Sequence, residues 1–273
     1  MQTAVLKMGA ALLLVLLMNL AAFAAPKAEL WPYWLANTPQ NVTSVDHSAW
    51  ADFLQEYVRV ASDGTPNRLR YTAVSSDDAQ ALGDYLTLLA AVKVTQLNRA
   101  EQKAYWINLY NALTVKVVLD NFPVKSIREV KSGWFSAGPW DLKLIRVEGF
   151  ELSLNDIEHR ILRPIWKDNR IHYAVNCASM GCPDLQAKPF TAANSETLLD
   201  QAAVAYVNSP RGLRFVDDTL VLSRIYDWYQ ADFGGNEAAL KNYLQTLAAP
   251  DLAARLRSFT GAISYDYDWT LNE

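Results

Sequence analysis

An α+β fold, with a mainly antiparallel sheet packed by helices around one buried central helix, is what three features of this 273-residue chain predict. Several stretches carry apolar residues at helical spacing. Short β-branched runs come in pairs around tight turns, and one helical stretch, 98–120, is apolar nearly all round. With 51% of its residues apolar, the chain can bury a large core within one domain.

The first 25 residues hold one cation, Lys7, an apolar run over 8–20 broken only by Asn19, and the small-residue stretch 21–25. That pattern predicts a secretory signal peptide over 1–24 with cleavage after Ala24, its apolar core shorter than the roughly 20 residues a bilayer span needs. No cysteine follows the run, so a lipid-modified start is not expected. The expected mature protein is periplasmic or secreted, with no membrane span after signal removal. The net charge of −4 becomes more acidic when Lys7 is removed, which gives no electrostatic reason for nucleic acid as a partner. Residues 25–45, with Pro26, Pro32 and Pro39, read as an extended lead-in, and 46–273 as a single domain.

Trp50, Phe53, Leu54, Tyr57 and Val58 recur at helical spacing and predict a helix over 47–62, ended by the turn at 63–66. A short strand over 69–74 precedes a helix over 77–92 with Leu82, Tyr85, Leu86 and Leu89 inward. Asn98 and Glu101 carry the capping-box pattern that opens the central helix, which Asn121 and Pro123 stop near 120. Its apolar residues, among them Tyr105, Trp106, Leu109, Leu113 and Val117, cover nearly every face, as a buried helix requires. A hairpin follows, 142–147 and 150–152 around Glu148-Gly149. Ser153 caps a short helix to about Leu162, closed by Pro164, and 171–176 reads as a strand. Beyond it come a helix over 195–207, a hairpin of 213–216 and 220–222, and helices near 225–232, 237–247 and 252–259.

Several phrases taken together have a common source: YWINLYNA at 105–112, LSLNDIEH at 152–159, LRP at 162–164, HYAVNCASMGCP at 172–183, Trp228-Tyr229 with Asp232-Phe233, and YDWTLN at 267–272. The chain resembles, over roughly 47–272, the family catalogued as domain of unknown function 547. The resemblance implies one continuous domain. It implies no activity, since the family has none established, and the chemistry is argued from the residues.

The run 172–184 holds both cysteines, Cys177 and Cys182, and one of three histidines. Cys177 ends the predicted strand and precedes Ala178, Ser179 and Gly181, small residues that let the backbone turn sharply. Such a turn presents a thiol together with free N–H groups, a nucleophile beside an oxyanion site. The other readings are a Cys177–Cys182 disulfide, favoured by an oxidising compartment, two plain thiols, or a metal site of His172, Cys177 and Cys182, which lacks an evident fourth ligand. No metal and no cofactor is expected.

A cysteine nucleophile needs a base within reach. If 172–177 is extended at about 3.3 Å per residue, His172 and Cys177 lie roughly 16 Å apart on opposite faces. His159, on a separate helix, is then the better base, and His172 serves only if the chain folds back. Glu158 sits at the margin of the stripe Leu154, Ile157, Ile161 and Ile165, where a carboxylate must find a partner. That partner is an arginine such as Arg128, Arg146 or Arg163, or else Glu158 acts as acid, base or orienting group. Glu101, Asn108 and Asn111 share one face of the central helix, either to satisfy loop backbone or to floor a polar site. Trp134, Phe135 and Trp140 form an aromatic loop that clamps a sugar or peptide, or serves as a packing lid.

The expected function is an exported cell-envelope protein acting as a cysteine-dependent amide hydrolase or acyl transferase. Cys177 is its nucleophile, His159 or His172 its base, Glu158 its orienting or acid group, and Asn108, Asn111, Trp134 and Trp140 its substrate contacts. The rival is a non-catalytic envelope binding module with a Cys177–Cys182 disulfide. Either would take a small-molecule, peptide or cell-wall ligand, which the sequence does not name.

Overall fold

The structure, a computed structural model, describes residues 26–61, 65–131, 133 and 138–273. The predicted signal peptide and the loop residues Trp134 and Phe135 lie outside the described residues.

Helix α1 (Ser48–Tyr57) buries Trp50, Phe53, Leu54 and Tyr57 on one face. It stops before the predicted 62, because the chain turns extended at β-branched Val58 and pairs β1 (Val58–Arg59) antiparallel with β2 (Arg68–Leu69). The strand predicted over 69–74 is correspondingly short, since Tyr71–Ala73 closes into a 3₁₀ turn. Ser75 caps α2 (Ser76–Ala91) by accepting the Asp78 N–H at 3.1 Å. Asn98 caps the central helix α3 (Arg99–Asn121) by accepting the Glu101 N–H at 3.0 Å. Only half of the capping box forms. The Glu101 carboxylate accepts the Val45 N–H instead, at 2.7 Å.

Strands β3 (Ile145–Val147) and β4 (Phe150–Leu152) form the predicted hairpin, with Glu148 (φ 47°) and Gly149 (φ 90°) both left-handed, as the two-residue turn that matches strand twist requires. Ser153 and Asp156 then cap each other, Ser153 Oγ accepting the Asp156 N–H at 3.1 Å and Asp156 Oδ2 accepting the Ser153 N–H at 2.9 Å. The helix they open is not closed by Pro164. It widens into a π-helix, Asp156–Leu162, and runs on through α4 (Arg163–Trp166). A proline has no N–H to give the preceding turn. Here the carbonyls of His159 and Arg160 instead take the N–H groups of Glu29 at 2.9 Å and Trp31 at 3.0 Å. The lead-in is thereby docked across the π turn.

The strand predicted over 171–176 is absent. Asn169–Tyr173 forms a 3₁₀ turn, opened by Asp168 accepting the Arg170 N–H at 3.0 Å. After α5 (Ser195–Val207), β5 (Leu213–Val216) pairs antiparallel with β6 (Thr219–Ser223). Then come α6 (Ile225–Trp228), α7 (Glu237–Leu247) and α8 (Pro250–Ser258), and β7 (Ala262–Asp266) joins β6 in parallel. The class is α+β as predicted, but among the described residues the strands form three small sheets rather than one, and one ladder is parallel.

The buried apolar residues form two clusters. One surrounds α3, and the other is built from α5, β5, β6 and α7. Ile171 and Ala174 belong to the first and Tyr173 to the second, so the turn carrying His172 lies on the seam. The C-terminal tail crosses that region. Met180 N–H donates to Thr270 O at 2.7 Å, Gly181 N–H to Asp268 O at 2.8 Å, and Leu69 N–H to Asn272 O at 2.8 Å. This approach explains Gly181, where a Cβ would stand 2.8 Å from the Asp268 nitrogen.

Candidate functional site

The polar stripe of α3 holds the cysteine turn. Asn111 donates from Nδ2 to Ala174 O at 2.9 Å and accepts the Asn176 N–H at Oδ1 at 2.8 Å. Asn176 passes the constraint on, accepting the Ala178 N–H at 2.8 Å and donating to Pro183 O at 2.7 Å. Asn108 fixes the next loop through Phe190, accepting its N–H at 3.0 Å and donating to its carbonyl at 2.7 Å. Both amides are thus engaged by loop backbone, the arrangement that buried polar groups require.

Within the turn, Ala178 is left-handed at φ 58°, an uncommon conformation for a residue with a Cβ and one found at functional sites. It exposes Cys177 partly while Ala178 and Ser179 stay buried. The amides of the turn are mostly committed: Cys177 N–H to Cys182 Sγ at 3.0 Å, Ala178 to Asn176, Met180 and Gly181 to the tail, and Cys182 to Ser179 O at 3.0 Å. The expected set of free N–H groups reduces to that of Ser179, which has no partner among the described residues.

Three groups surround the Cys177 sulfur. Cys182 Sγ lies 3.1 Å away, the Tyr267 hydroxyl 3.0 Å and Ser179 Oγ 3.3 Å, with Tyr267 and Ser179 themselves 2.9 Å apart. Both cysteines are free thiols. Ionised Cys177 leaves the Cys182 S–H as donor, and the hydrogen bond from Cys182 lowers the Cys177 pKa, with Ser179 and Tyr267 acting in the same direction against burial and the Glu158 charge. Burial and the neighbouring Cys177 push Cys182 well up, so Cys182 keeps its proton.

Glu158 is buried, as its place on the helix predicts, but none of Arg128, Arg146 or Arg163 pairs with it. Arg163 Nε binds Asp232 at 2.7 Å, Arg146 binds Glu151 at 2.9 Å, and Arg128 lies over the Trp269 ring. Its carboxylate instead faces both histidines at ion-pair distance, His172 Nδ1 at 3.7 Å and His159 Nδ1 at 3.8 Å, with the Tyr229 hydroxyl also turned toward it. His172 Nε2 is bonded to Asp232 Oδ2 at 2.7 Å, and its ring stacks on Tyr229 with centroids 4.1 Å apart. Residues 169–173 coil, so His172 does not lie on the extended strand from which its separation from Cys177 was inferred. His159 Nδ1 accepts from Arg163 Nη1 at 3.0 Å, so it carries no proton there and the ring is the Nε2–H tautomer. Burial lowers the His159 pKa further. Burial alone would raise the Asp232 carboxyl, yet the hydrogen bonds from His172 and Arg163 hold it well below the usual carboxylate range.

Neither histidine touches Cys177, whose direct contacts are Cys182, Ser179 and Tyr267. Glu158 is the ionisable group of the histidine cluster whose charge acts on the thiol. Trp140 packs edge-on against Trp269 at 5.7 Å, and Trp269 contacts Tyr267 at 4.6 Å, so Trp140 reaches the cysteine site through two aromatic rings. Sequence reasoning missed Asp232, Tyr229 and Tyr267 as site residues. Among the described residues, no group of three His, Cys, Asp or Glu side chains is arranged to hold a metal ion. No helix there is long and apolar enough to cross a membrane.

No curated protein and no solved structure matches the chain. Glu158, His159, His172 and both cysteines fall inside a stretch matched by a family model, whereas Tyr229, Asp232 and Tyr267 lie beyond it. Residues 94–207 match the family model described as "Protein of unknown function, DUF547", the family that the chain's motifs resemble.

Proposed function

We propose that the protein is an exported cell-envelope enzyme, a cysteine-dependent amide hydrolase or acyl transferase, with Cys177 as nucleophile. The observation that carries this reading is the Cys177 sulfur, on a partly exposed residue, within hydrogen-bond distance of Cys182 Sγ, the Tyr267 hydroxyl and Ser179 Oγ, three neighbours that lower its pKa and so favour the thiolate. The Cys177 sulfur attacks the substrate's carbonyl carbon, and the oxyanion that forms meets the unpartnered N–H of Ser179. The C–N bond then breaks, and the amine leaves with a proton supplied by the His172–Glu158 pair. Water, or an acceptor amine, attacks the thioester, its proton passes to the His172–Glu158 pair, and the C–S bond breaks to return the sulfur as thiolate. Asp232 orients His172 through Nε2, with Glu158 on the other side of the ring.

One observation favours the rival reading. The two sulfurs stand 3.1 Å apart, a short movement from the roughly 2.05 Å of a disulfide, and an oxidising envelope would close the pair into an inert binding module. Incubation with p-nitrophenyl acetate separates the two. The enzyme acquires an acetyl group on Cys177 and loses it by hydrolysis, and Cys177→Ser abolishes both steps. No acetylation of Cys177 in the native exported protein would favour the module.

A further inference from the structure

Acyl transfer uses one sulfur as nucleophile, and the fold sets two side by side. Cys177 is partly exposed, whereas Cys182 is buried at 3% exposure. The sulfurs stand 3.1 Å apart, and the Cys177 N–H donates to Cys182 Sγ at 3.0 Å. Backbone bonds hold that approach: Cys182 N–H donates to Ser179 O at 3.0 Å, and Met180 and Gly181 between them are tied to the C-terminal tail.

An accessible thiolate poised next to a second thiol is the setting in which a cysteine is oxidised to a sulfenic acid and then condenses with its neighbour. Cys177 has the lowered pKa of the two, and Cys182 keeps its proton. Burial is the first cause that holds Cys182 up, followed by its hydrogen bond to Cys177 and the Cys177 charge. Once Cys177 carries an oxygen in place of its charge, that charge no longer opposes ionisation of Cys182. The Cys177 N–H and the Tyr267 hydroxyl still favour it. Oxidation of the first sulfur thus activates the second. The oxidant must be small, because Cys182, Ser179 and Tyr267 already stand within 3.3 Å of the Cys177 sulfur. A hydroperoxide meets that limit, and the Ser179 and Tyr267 hydroxyls give its departing oxygen a proton donor.

We propose that Cys177 and Cys182 reduce hydroperoxides, Cys177 taking the oxygen and Cys182 displacing it. The Cys177 thiolate attacks the terminal oxygen of ROOH, and an S–O bond forms as the O–O bond breaks. The departing RO⁻ takes a proton relayed from water by Ser179 or Tyr267 and leaves as ROH. Sulfur has lost two electrons, and the peroxide has gained them. The Cys182 sulfur then attacks the sulfenic sulfur, and the hydroxide it displaces leaves as water with the Cys182 proton. The disulfide that forms closes a gap of 3.1 Å to roughly 2.05 Å. Two equivalents of a small thiol return both cysteines and leave as their own disulfide. The proposal shares only the Cys177 thiolate with the acyl-transfer reading, and it uses neither His172 nor Glu158.

The test is addition of one equivalent of hydrogen peroxide at neutral pH to the reduced protein, freed of reductant, with intact mass and peptide mapping. A loss of about 2 Da through an intramolecular Cys177–Cys182 link is expected, at least about tenfold faster than free cysteine is oxidised and reversed by dithiothreitol. In Cys182→Ser, Cys177 should gain about 16 Da and be trapped by dimedone. Tyr267→Phe should slow the oxidation by about threefold or more. If Cys182→Ser does not fold, the rate and mapping of the unaltered protein still decide. Oxidation no faster than that of free cysteine, oxygen found first on Cys182, or Cys177 advancing to sulfinic acid while Cys182 stays reduced overturns the proposal. Treating the same sample with p-nitrophenyl acetate separates the two chemistries. Acetylation of Cys177 without peroxide-driven linkage overturns this proposal alone, and linkage without acetylation supports it while removing the acyl-transfer reading.

Discussion

The hydroxyl of Tyr267 lies 3.0 Å from the sulfur of Cys177, a contact between residues 90 positions apart, held in place by the tail's backbone hydrogen bonds to Met180 and Gly181. Folding of the C-terminus and tuning of the thiol are therefore one event. Tyr267→Phe removes a donor without removing the ring that packs on Trp228 and Trp269. The Cys177 pKa should rise, and alkylation at neutral pH should slow by roughly threefold to tenfold, with little change in melting temperature. Stopped-flow labelling across pH reads both.

Gly181→Ala tests the tail contact directly. The new Cβ meets the Asp268 backbone, which has no flexible end to yield, and the expected destabilisation is about 1–3 kcal/mol by denaturant titration. Gly83→Ala is the counter-case. It lies inside α2 with nothing nearer than 3.8 Å to the added methyl, so roughly 0.5–1 kcal/mol of stabilisation is expected.

Asp232→Asn leaves the buried Arg163 guanidinium and His172 Nε2 without their shared carboxylate. Because Asp232 is partly open to solvent, a loss of about 2–4 kcal/mol is expected, at the lower side of what breaking a buried pair costs. Under the proposed acyl-transfer reaction the rate should fall with it, since His172 loses the carboxylate that orients its ring. An unchanged His172 Nε2 resonance in the variant would contradict that role.

Acid should weaken the fold in a defined window. Unfolded His47 takes its proton near 6.5 and folded His47 only near about 4, so between these values the unfolded state binds more protons. The contribution is complete above pH 6.5 and is lost as pH falls toward about 4, amounting to on the order of 3 kcal/mol. Denaturation midpoints of the protein and of His47→Gln, compared from pH 7.5 to 4.5, should converge as the pH drops.

The helices α1, α2 and α3 and the hairpin at Glu148-Gly149 were legible because their signals are local: apolar spacing, the Asn98 cap, and a two-residue turn. The burial of Glu158 followed equally from its position on a helix face. The strand expected over 171–176 failed because alternation identifies a strand only when one face is wet. Here every residue of the segment is buried, so the pattern carried no direction. Pro164 misled because a π turn and a docked lead-in take up the carbonyls a proline leaves open. Asp232 and Tyr267 are 60 and 90 residues from the groups they serve, and no periodicity reports such a meeting. Their one trace was membership of the phrases 232–233 and 267–272, which carried the family resemblance.

The most direct measurement of the central claim is the rate at which iodoacetamide modifies Cys177 in the native protein, without reductant, as a function of pH. The account predicts prompt labelling of Cys177 and not Cys182, with a midpoint below the ordinary thiol range and a slower rate in Tyr267→Phe. Failure of either cysteine to react until a reductant is added, or a midpoint at or above the ordinary thiol value, would contradict it.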